Sequence, residues 1–383
     1  MPNPHKILFL PRWYPSENDL QNGVFIQKHA RAAAMENEVM VLYAVSVSKE
    51  SRIVCSNRGN LKEVILYYPA GNIRLLNFIA SLRALFKLWR FTRKSFQPDI
   101  CHIHVSGRQA LLALWLNLKY GIPFIISEHW SGFVTGEYER QSFFKKWLTA
   151  CVFKKATAVT AVSETLRDAM INRGLGKEIR ILPNVVEVLP DGAQQHPAED
   201  VFRYLIVADL RDEIKNISGA IRAFSEVCKA EPSSELVIAG EGKDRDKLER
   251  LVIASFQTNS PPVKFLGLKS NEEVLKLIPA AHVIIVNSRI ETFSVVTLEA
   301  IFSGRPVIAT RCGGPERFIN EHNGILIGID NEKELVHAMI QMKRDYRKYN
   351  PDAIKNSIPN TYAPESIARL LNSFYNEAAA RQS

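Results

Sequence analysis

Residues 282–310, HVIIVNSRIETFSVVTLEAIFSGRPVIAT, decide the fold. Val283 to Val286 are β-branched and read as a buried strand, a short polar loop follows, and an apolar helical run leads to a second strand at Val307 to Thr310. Glu299 falls inside that helical run, among Val295, Val296, Leu298, Ala300, Ile301 and Phe302, where an unpartnered carboxylate would cost several kcal/mol. It therefore calls for hydrogen-bond donors. Glu291 lies in the loop, and a helix starting near Thr292 to Ser294 aims backbone N–H groups and its positive end above the sheet. Such a helix end suits a phosphate. Two carboxylates that accept from neutral hydroxyls, with an anion site between them, describe a nucleotide sugar. The same spacing also fits a helix whose glutamates are solvated or salt-bridged, so neighbouring motifs must decide.

Working outward, short β-branched runs alternate with amphipathic helical ones on both sides of one break. KILFL, VMVLYA, DICHIHV, PFIIS, AVTAVS and IRILPN precede VLPDGAQQHPAED, residues 188–200; FRYLIVADL, ELVIAG, VKFLG, HVIIVNS, PVIAT and GILIG follow it. Pro190, Gly192 and Pro197 among polar residues mark a linker. Alternating strand and helix mean α/β units with parallel sheets. The expected organisation is an N-terminal Rossmann-like domain (1–187), the linker, a C-terminal Rossmann-like domain (201–360) and a terminal helix (361–383) with the option of crossing back onto the first domain. A deep cleft between the two parallel sheets is the expected ligand site. In GEGKDR the single GxG lacks the rest of a dinucleotide fingerprint and reads as a tight turn.

The 383 residues suit two domains, and no apolar run approaches a membrane span. MPNPHKILFLPRWYP lacks the core of a secretory signal, which predicts a cytoplasmic protein. Five scattered cysteines make no zinc or redox spacing, and no carboxylate or cysteine near His102 and His104 completes a metal set. The net charge of +9 is concentrated in residues 1–187, with about 25 Lys and Arg against about 14 Asp and Glu. No nucleic-acid reader module organises those charges, so nucleic acid is not an expected partner.

The ordered motifs VADLRDEIKNISGAIRAF, LVIAGEGKDRDKLE, VKFLG, SRIETFSVVTLEA, GRPVIATRCGGPE and NGILI resemble the nucleotide-sugar-binding domain of family 4 (group 1) glycosyltransferases, which share the two-domain GT-B architecture. FLPRWYPSENDLQNGVFIQKHA, PDICHIHVSG, SEHWSGF, AVTAVSE and LPNVVE resemble the family's first domain more loosely. The resemblance implies that Glu291 holds donor-sugar hydroxyls and Glu299 the ribose. It places the amides of Thr292, Phe293 and Ser294 on the diphosphate and makes Lys215 the neutralising lysine. Gly23 corresponds to the family's glycine loop after the first strand, and His129 to the histidine that projects toward the donor sugar. Asp209 stands where the family usually carries a basic residue, and Arg211 is the nearest replacement.

The family further implies a retaining transfer, without metal or cofactor, from a nucleotide-diphosphate sugar to a glycan or lipid-linked acceptor, as in bacterial surface polysaccharide synthesis. The run 72–94 places Arg83, Lys87, Arg90, Arg93 and Lys94 with Leu85, Phe86 and Trp89 on one helix, and Lys145, Lys146 and Trp147 repeat the theme. Such faces fit an anionic membrane surface, at the inner face of the membrane, and equally a helix packed on a sheet with solvated lysines. A sugar-nucleotide epimerase of the same fold and a non-catalytic nucleotide-sugar-binding protein stay open as alternatives.

Overall fold

The structure, a computed structural model, describes residues 4–47, 51–71, 73–190, 197, 200–256, 258 and 260–381. The chain divides into two compact units, Met1–Val185 with Thr361–Ser383, and Val186–Asn360. Of the expected linker, residues 191–196 and 198–199 lie outside the described residues.

The first unit runs β1 (Lys6–Pro11), α1 (Val24–Ala33), β2 (Glu38–Val47), β3 (Arg52–Arg58), β4 (Leu61–Pro69), α2 (Arg74–Thr92), β5 (Ile100–His104), α3 (Gln109–Tyr120), β6 (Phe124–Glu128), α4 (Phe143–Lys155), β7 (Ala158–Ala161), α5 (Glu164–Ile171) and β8 (Ile179–Ile181). The second runs β9 (Phe202–Val207), α6 (Asp212–Lys215), α7 (Ile217–Ala230), β10 (Ser234–Ala239), α8 (Arg245–Phe256), β11 (Val263–Gly267), α9 (Asn271–Leu277), β12 (Val283–Val286), α10 (Val295–Phe302), β13 (Val307–Thr310), β14 (Gly324–Ile327), α11 (Glu332–Arg344) and α12 (Pro351–Asn356). A last helix, α13 (Pro364–Ala380), belongs to the first unit.

The second sheet is parallel throughout in the order β11-β10-β9-β12-β13-β14. Its direction of growth reverses between β9 and β12. The first sheet, β3-β4-β2-β1-β5-β6-β7-β8, reverses between β1 and β5. It departs from an all-parallel reading at one edge, where β3 pairs antiparallel with β4. The departure has a physical reason: most of β3 is solvent-exposed and shows no apolar alternation, while Gly59 at φ 60° makes the turn into β4.

Strands β1, β5 and β6 are buried along almost their whole length, polar residues included. Those polar groups need partners. On β5, His102 Nδ1 is hydrogen-bonded to the Tyr375 hydroxyl at 2.8 Å and Nε2 to Ser127 Oγ at 2.7 Å; Ser127 pairs in turn with Thr160 Oγ1 at 2.7 Å. Tyr375 comes from α13, whose Ile367, Ala368, Leu371, Phe374, Tyr375 and Ala378 form one buried stripe at helical spacing. This stripe joins Ile26, Ala30 and Ala33 of α1 in the core of the first unit. We predict that Tyr375→Phe, which strands the buried His102 Nδ1, lowers unfolding stability by about 1–3 kcal/mol. Tyr375→Ala should cost about 3–5 kcal/mol, both read by chemical denaturation.

Candidate active site

In an open parallel sheet the crevice lies beyond the carboxyl ends of the strands where the order reverses, because the connections on either side leave in opposite directions. In the second unit this is the ground beyond β9 and β12. The segment after β9 leads through Asp209, Leu210 and Arg211 into the single turn α6, which ends at Lys215. The segment after β12 carries Glu291. The two meet: Lys215 Nζ donates to Glu291 Oε1 at 2.5 Å, and Ser288 Oγ donates to the same oxygen at 2.8 Å. The lysine and glutamate side chains are only 20% and 16% exposed.

This contact is held by a residue that no sequence motif singles out. Arg289 Nη1 donates to the Asp212 carbonyl at 2.8 Å and Nη2 to Asn216 Oδ1 at 3.1 Å, while Nε pairs with Asp330 Oδ1 at 2.8 Å. Its own amide donates to the Ile214 carbonyl at 2.7 Å. One guanidinium thus ties the turn that presents Lys215 to the loop that presents Glu291. Asn216 ends that turn in the left-handed conformation, φ 46°, and its carbonyl accepts from Asn287 Nδ2 at 2.9 Å. A charged residue inside a loop gives no periodic signal, so only the folded contacts reveal its task.

Helix α10 begins at Val295, later than the sequence implies, so Thr292 and Phe293 belong to the loop and Ser294 is the N-cap. Ser294 takes φ 66°, ψ 76°, an uncommon conformation for a non-glycine residue. Its hydroxyl pairs with Thr297 Oγ1 at 2.8 Å. Phe293 is buried edge-on against Phe318. The loop also lies against Gly313 and Gly314: Glu291 N donates to the Cys312 carbonyl at 2.9 Å and Gly314 N to the Glu291 carbonyl at 2.8 Å. A Cβ at Gly314 would stand 2.6 Å from the Phe293 backbone, so only glycine permits this approach. Glu299 lies in α10 with 2% of its surface exposed, beside Leu298, Ala300 and Ile301. Arg211 does not stand free; its Nε donates to Asp209 Oδ2 at 2.6 Å and both side chains are half exposed. The GxG of residues 240–242 is a strand-to-helix turn, and Cβ atoms there would strike the backbone of Ala208 and Leu210.

In the first unit, the order reverses between β1 and β5. Gly23 opens α1 at φ 72°, and a Cβ there would lie 2.4 Å from the backbone of Trp13. The glycine is thus already required by the protein's own packing. Val105, just past β5, takes φ 60°, a strained value for a β-branched residue. Glu128, wholly buried at the end of β6, accepts from the amides of Ser106 at 2.5 Å and His129 at 3.2 Å. Burial pushes its carboxyl up to about 7 despite those donors and the charge of Arg12.

His129 is buried, not extended into solvent. It stands with His29 of α1 and His104 of β5, ring centroids 5.5–5.8 Å apart, and one nitrogen from each ring lies within 4.8 Å of the others. Burial, then the neighbouring imidazoles, hold His104 and His129 well below the ordinary histidine value; burial brings His29 to about 4. His104 thus meets partners from two other elements, far away in the chain.

Two family profiles match the chain, glycosyltransferase family 4 over residues 24–188 and glycosyl transferases group 1 over residues 191–359. Glycogen synthase of Mycobacterium tuberculosis is 28% identical over 256 residues, which cover 64% of this chain and 60% of that protein. The chain thus spans less than two thirds of that relative. Alpha-monoglucosyldiacylglycerol synthase of Acholeplasma laidlawii is 25% identical over 323 residues, 75% of this chain and 77% of the relative. A human phosphatidylinositol N-acetylglucosaminyltransferase chain is 24% identical over 377 residues, 95% of this chain and 71% of the relative. Among solved structures, sucrose-phosphate synthase from Thermosynechococcus elongatus superposes with TM-score 0.77 at 16% identity, over 98% of this chain and 100% of that one. Anabaena HepE in complex with UDP and glucose gives 0.72 at 16% identity, over 97% and 99%. These likenesses show the fold. With both halves matched in order and the two-sheet GT-B fold in place, the chain belongs to the family 4, group 1 glycosyltransferases.

Proposed function

We propose that this glycosyltransferase moves a sugar, with retention of configuration, from a nucleotide-diphosphate donor to a glycan or lipid-linked acceptor in bacterial surface polysaccharide synthesis. The observation that carries the reading is the meeting of Lys215 and Glu291 at the reversal point of the second sheet, beside the N-terminus of α10. A cation and a helix end together stabilise the charge that grows on a departing diphosphate, so no metal is needed in this unit. When the diphosphate enters, it competes with Glu291 for the ammonium and frees the carboxylate to accept from sugar hydroxyls. The buried Glu299 accepts from the ribose. The Asp209–Arg211 pair neutralises itself, which removes the repulsion that Asp209 alone would exert. Attack by the acceptor hydroxyl on the face the phosphate leaves, with that phosphate taking the proton, gives retention without a covalent intermediate on Glu291.

For the acceptor, the supporting observation is a surface of the first unit. Phe143, Phe144 and Trp147 are 83%, 66% and 53% exposed on α4, beside the exposed Lys145. On α2, Leu75, Leu76 and Phe91 are exposed with Arg83, Lys87 and Arg90. Trp89 and Leu85 instead point into the core, which corrects the expectation that they share the basic face. Aromatic rings beside cations suit the headgroup boundary of an anionic bilayer. Two relatives whose names denote glycolipid and phosphatidylinositol glycosylation support a lipid-type acceptor. Among the described residues no helix is long and apolar enough to cross a membrane.

A thermal-shift screen against nucleotide sugars identifies the donor, since a ligand of the folded form raises its melting temperature. With that donor and no acceptor, slow release of free sugar is expected; formation of an isomer would mean an epimerase, and no reaction a binding protein. Lys215→Ala should lower kcat about 10²–10³-fold, whereas Arg211→Ala, which leaves Asp209 without its counter-charge, should weaken donor affinity only modestly. Glu299→Gln should weaken donor binding about 10–100-fold, as expected for loss of a charged hydrogen bond. A triple change of Phe143, Phe144 and Trp147 to serine should abolish flotation with anionic vesicles while leaving donor hydrolysis intact; undiminished flotation would remove this face as the membrane contact.

A further inference from the structure

Beyond the strand ends of the first unit stand two arginines that no carboxylate holds. Arg12 follows β1 and Arg108 precedes α3, so both leave the sheet at the strands between which its order reverses. Arg12 lies against two indoles, its Cζ 5.3 Å from the Trp13 ring centre and 5.6 Å from that of Trp130. Its guanidinium makes one hydrogen bond among the described residues, from Nη1 to the Ser106 carbonyl at 3.4 Å. Arg108 lies over Phe78, 5.8 Å from the ring centre. Both side chains are exposed, and among the described residues neither has a carboxylate within ion-pair distance. Desolvation lowers the Arg12 guanidinium from its ordinary value, and the charge of Arg108 adds to that against the pull of Glu128 and Glu137. Two like charges are thus brought together at a cost that a bound anion removes.

The surrounding backbone fixes this arrangement. Glu128 accepts from the amides of Ser106 at 2.5 Å, His129 at 3.2 Å and Trp130 at 3.4 Å, which ties the loop after β5 to the loop after β6. A Cβ at Gly132 would lie 2.1 Å from the Trp130 ring, so glycine lets the indole rest on the backbone. A Cβ at Gly107 would crowd the Arg12 stem, 3.3 Å from Cδ. Trp130 also walls an open recess of about 620 Å³ with Glu137, Arg140, Gln141, Ser142 and Lys145, a size that suits a small ligand. Arg140 and Lys145 are exposed and make no ion pair among the described residues, while the neighbouring Glu139 is taken by Arg173. Positive charge therefore prevails around the indole.

We propose that Arg12 and Arg108 bind a phosphate group of the acceptor, with its sugar lodged against Trp130 in the recess. This rests on the transferase reading and narrows its acceptor to a sugar phosphate, free or carried on a lipid. Two guanidiniums from separate loops can each take a different pair of oxygens on a tetrahedral dianion, whereas one fork already satisfies a planar carboxylate.

The test is calorimetric titration of the full chain without donor. Glucose 6-phosphate should saturate one site at least about 10-fold more tightly than glucose or glucuronate. Displacement by decyl phosphate assigns the phosphate to a lipid carrier, and resistance to it assigns a soluble sugar phosphate. Arg12→Gln and Arg108→Gln should each weaken glucose 6-phosphate about 10–100-fold, as expected for loss of a charge-assisted hydrogen bond, and Arg12→Lys should recover only part of that. Lys177→Gln removes the same charge just before β8, at the other end of the parallel strands, and should change nothing. No saturable binding, equal affinity for glucuronate, unchanged affinity in Arg12 and Arg108 variants of normal melting midpoint, or equal weakening by Lys177→Gln each overturns the proposal. The donor found by thermal shift should stabilise both arginine variants as it does the unaltered chain; loss of that shift would assign the arginines to the donor diphosphate and sink this proposal alone. Absence of any donor removes the transferase reading, whatever the phosphate titration gives.

Discussion

The contact between Lys215 and Glu291 is the interaction on which the second unit's site depends. Two opposite charges at the mouth of a parallel sheet are held apart from bulk water, with side chains less than a quarter exposed. Such a pair is a weak source of stability, since desolvation offsets much of the attraction. Its importance is positional. Arg289, Asn216 and Asp330 commit their hydrogen-bonding capacity to fixing the two loops against each other, and two of these three residues sit in left-handed backbone. Strain of this kind persists only where surrounding contacts over-determine it. An anion that replaces Glu291 at the ammonium therefore meets a cation already in place.

Much of this is legible in the chain because the signals are local. The strand run Val283 to Val286 and the apolar helix around Glu299 carry their own periodicity, and strict alternation of strand and helix announces parallel α/β units. The start of α10 is not legible in the same way, because Ser294 adopts a conformation that side-chain type does not announce. Strand β3 escapes for a related reason. An exposed edge needs no apolar pattern, so Arg52 to Arg58 give nothing for a periodicity argument to grasp.

What stays hidden in the sequence is convergence. The Arg289 side chain bonds to Asp212 and Glu213 of α6, to Asn216 just after it and to Asp330 in the loop after β14, and none is near in sequence. His29, His104 and His129 gather from a helix and two strand ends. Spacing rules find side-chain groups carried on one element or one hairpin; they are blind to groups assembled by a sheet that brings distant strand ends to a common edge. The Trp89 side chain shows the reverse error, in which a residue with the composition of a membrane face turns inward because the helix registers it toward the sheet.

Helix α13 gives the molecule an unusual order of assembly. The stripe from Ile367 to Ala378 completes the core that α1 and β5 begin, yet it leaves the ribosome after everything it packs against. Domains made during synthesis ordinarily close in order from the N-terminus. Here the unit from Val186 to Asn360 is contiguous and can close first, while the unit that precedes it waits, with an apolar face of α1 uncovered, for residues 364–380. That interval is when a chaperone has its clearest work, and when a nascent copy is most exposed to pairing with another.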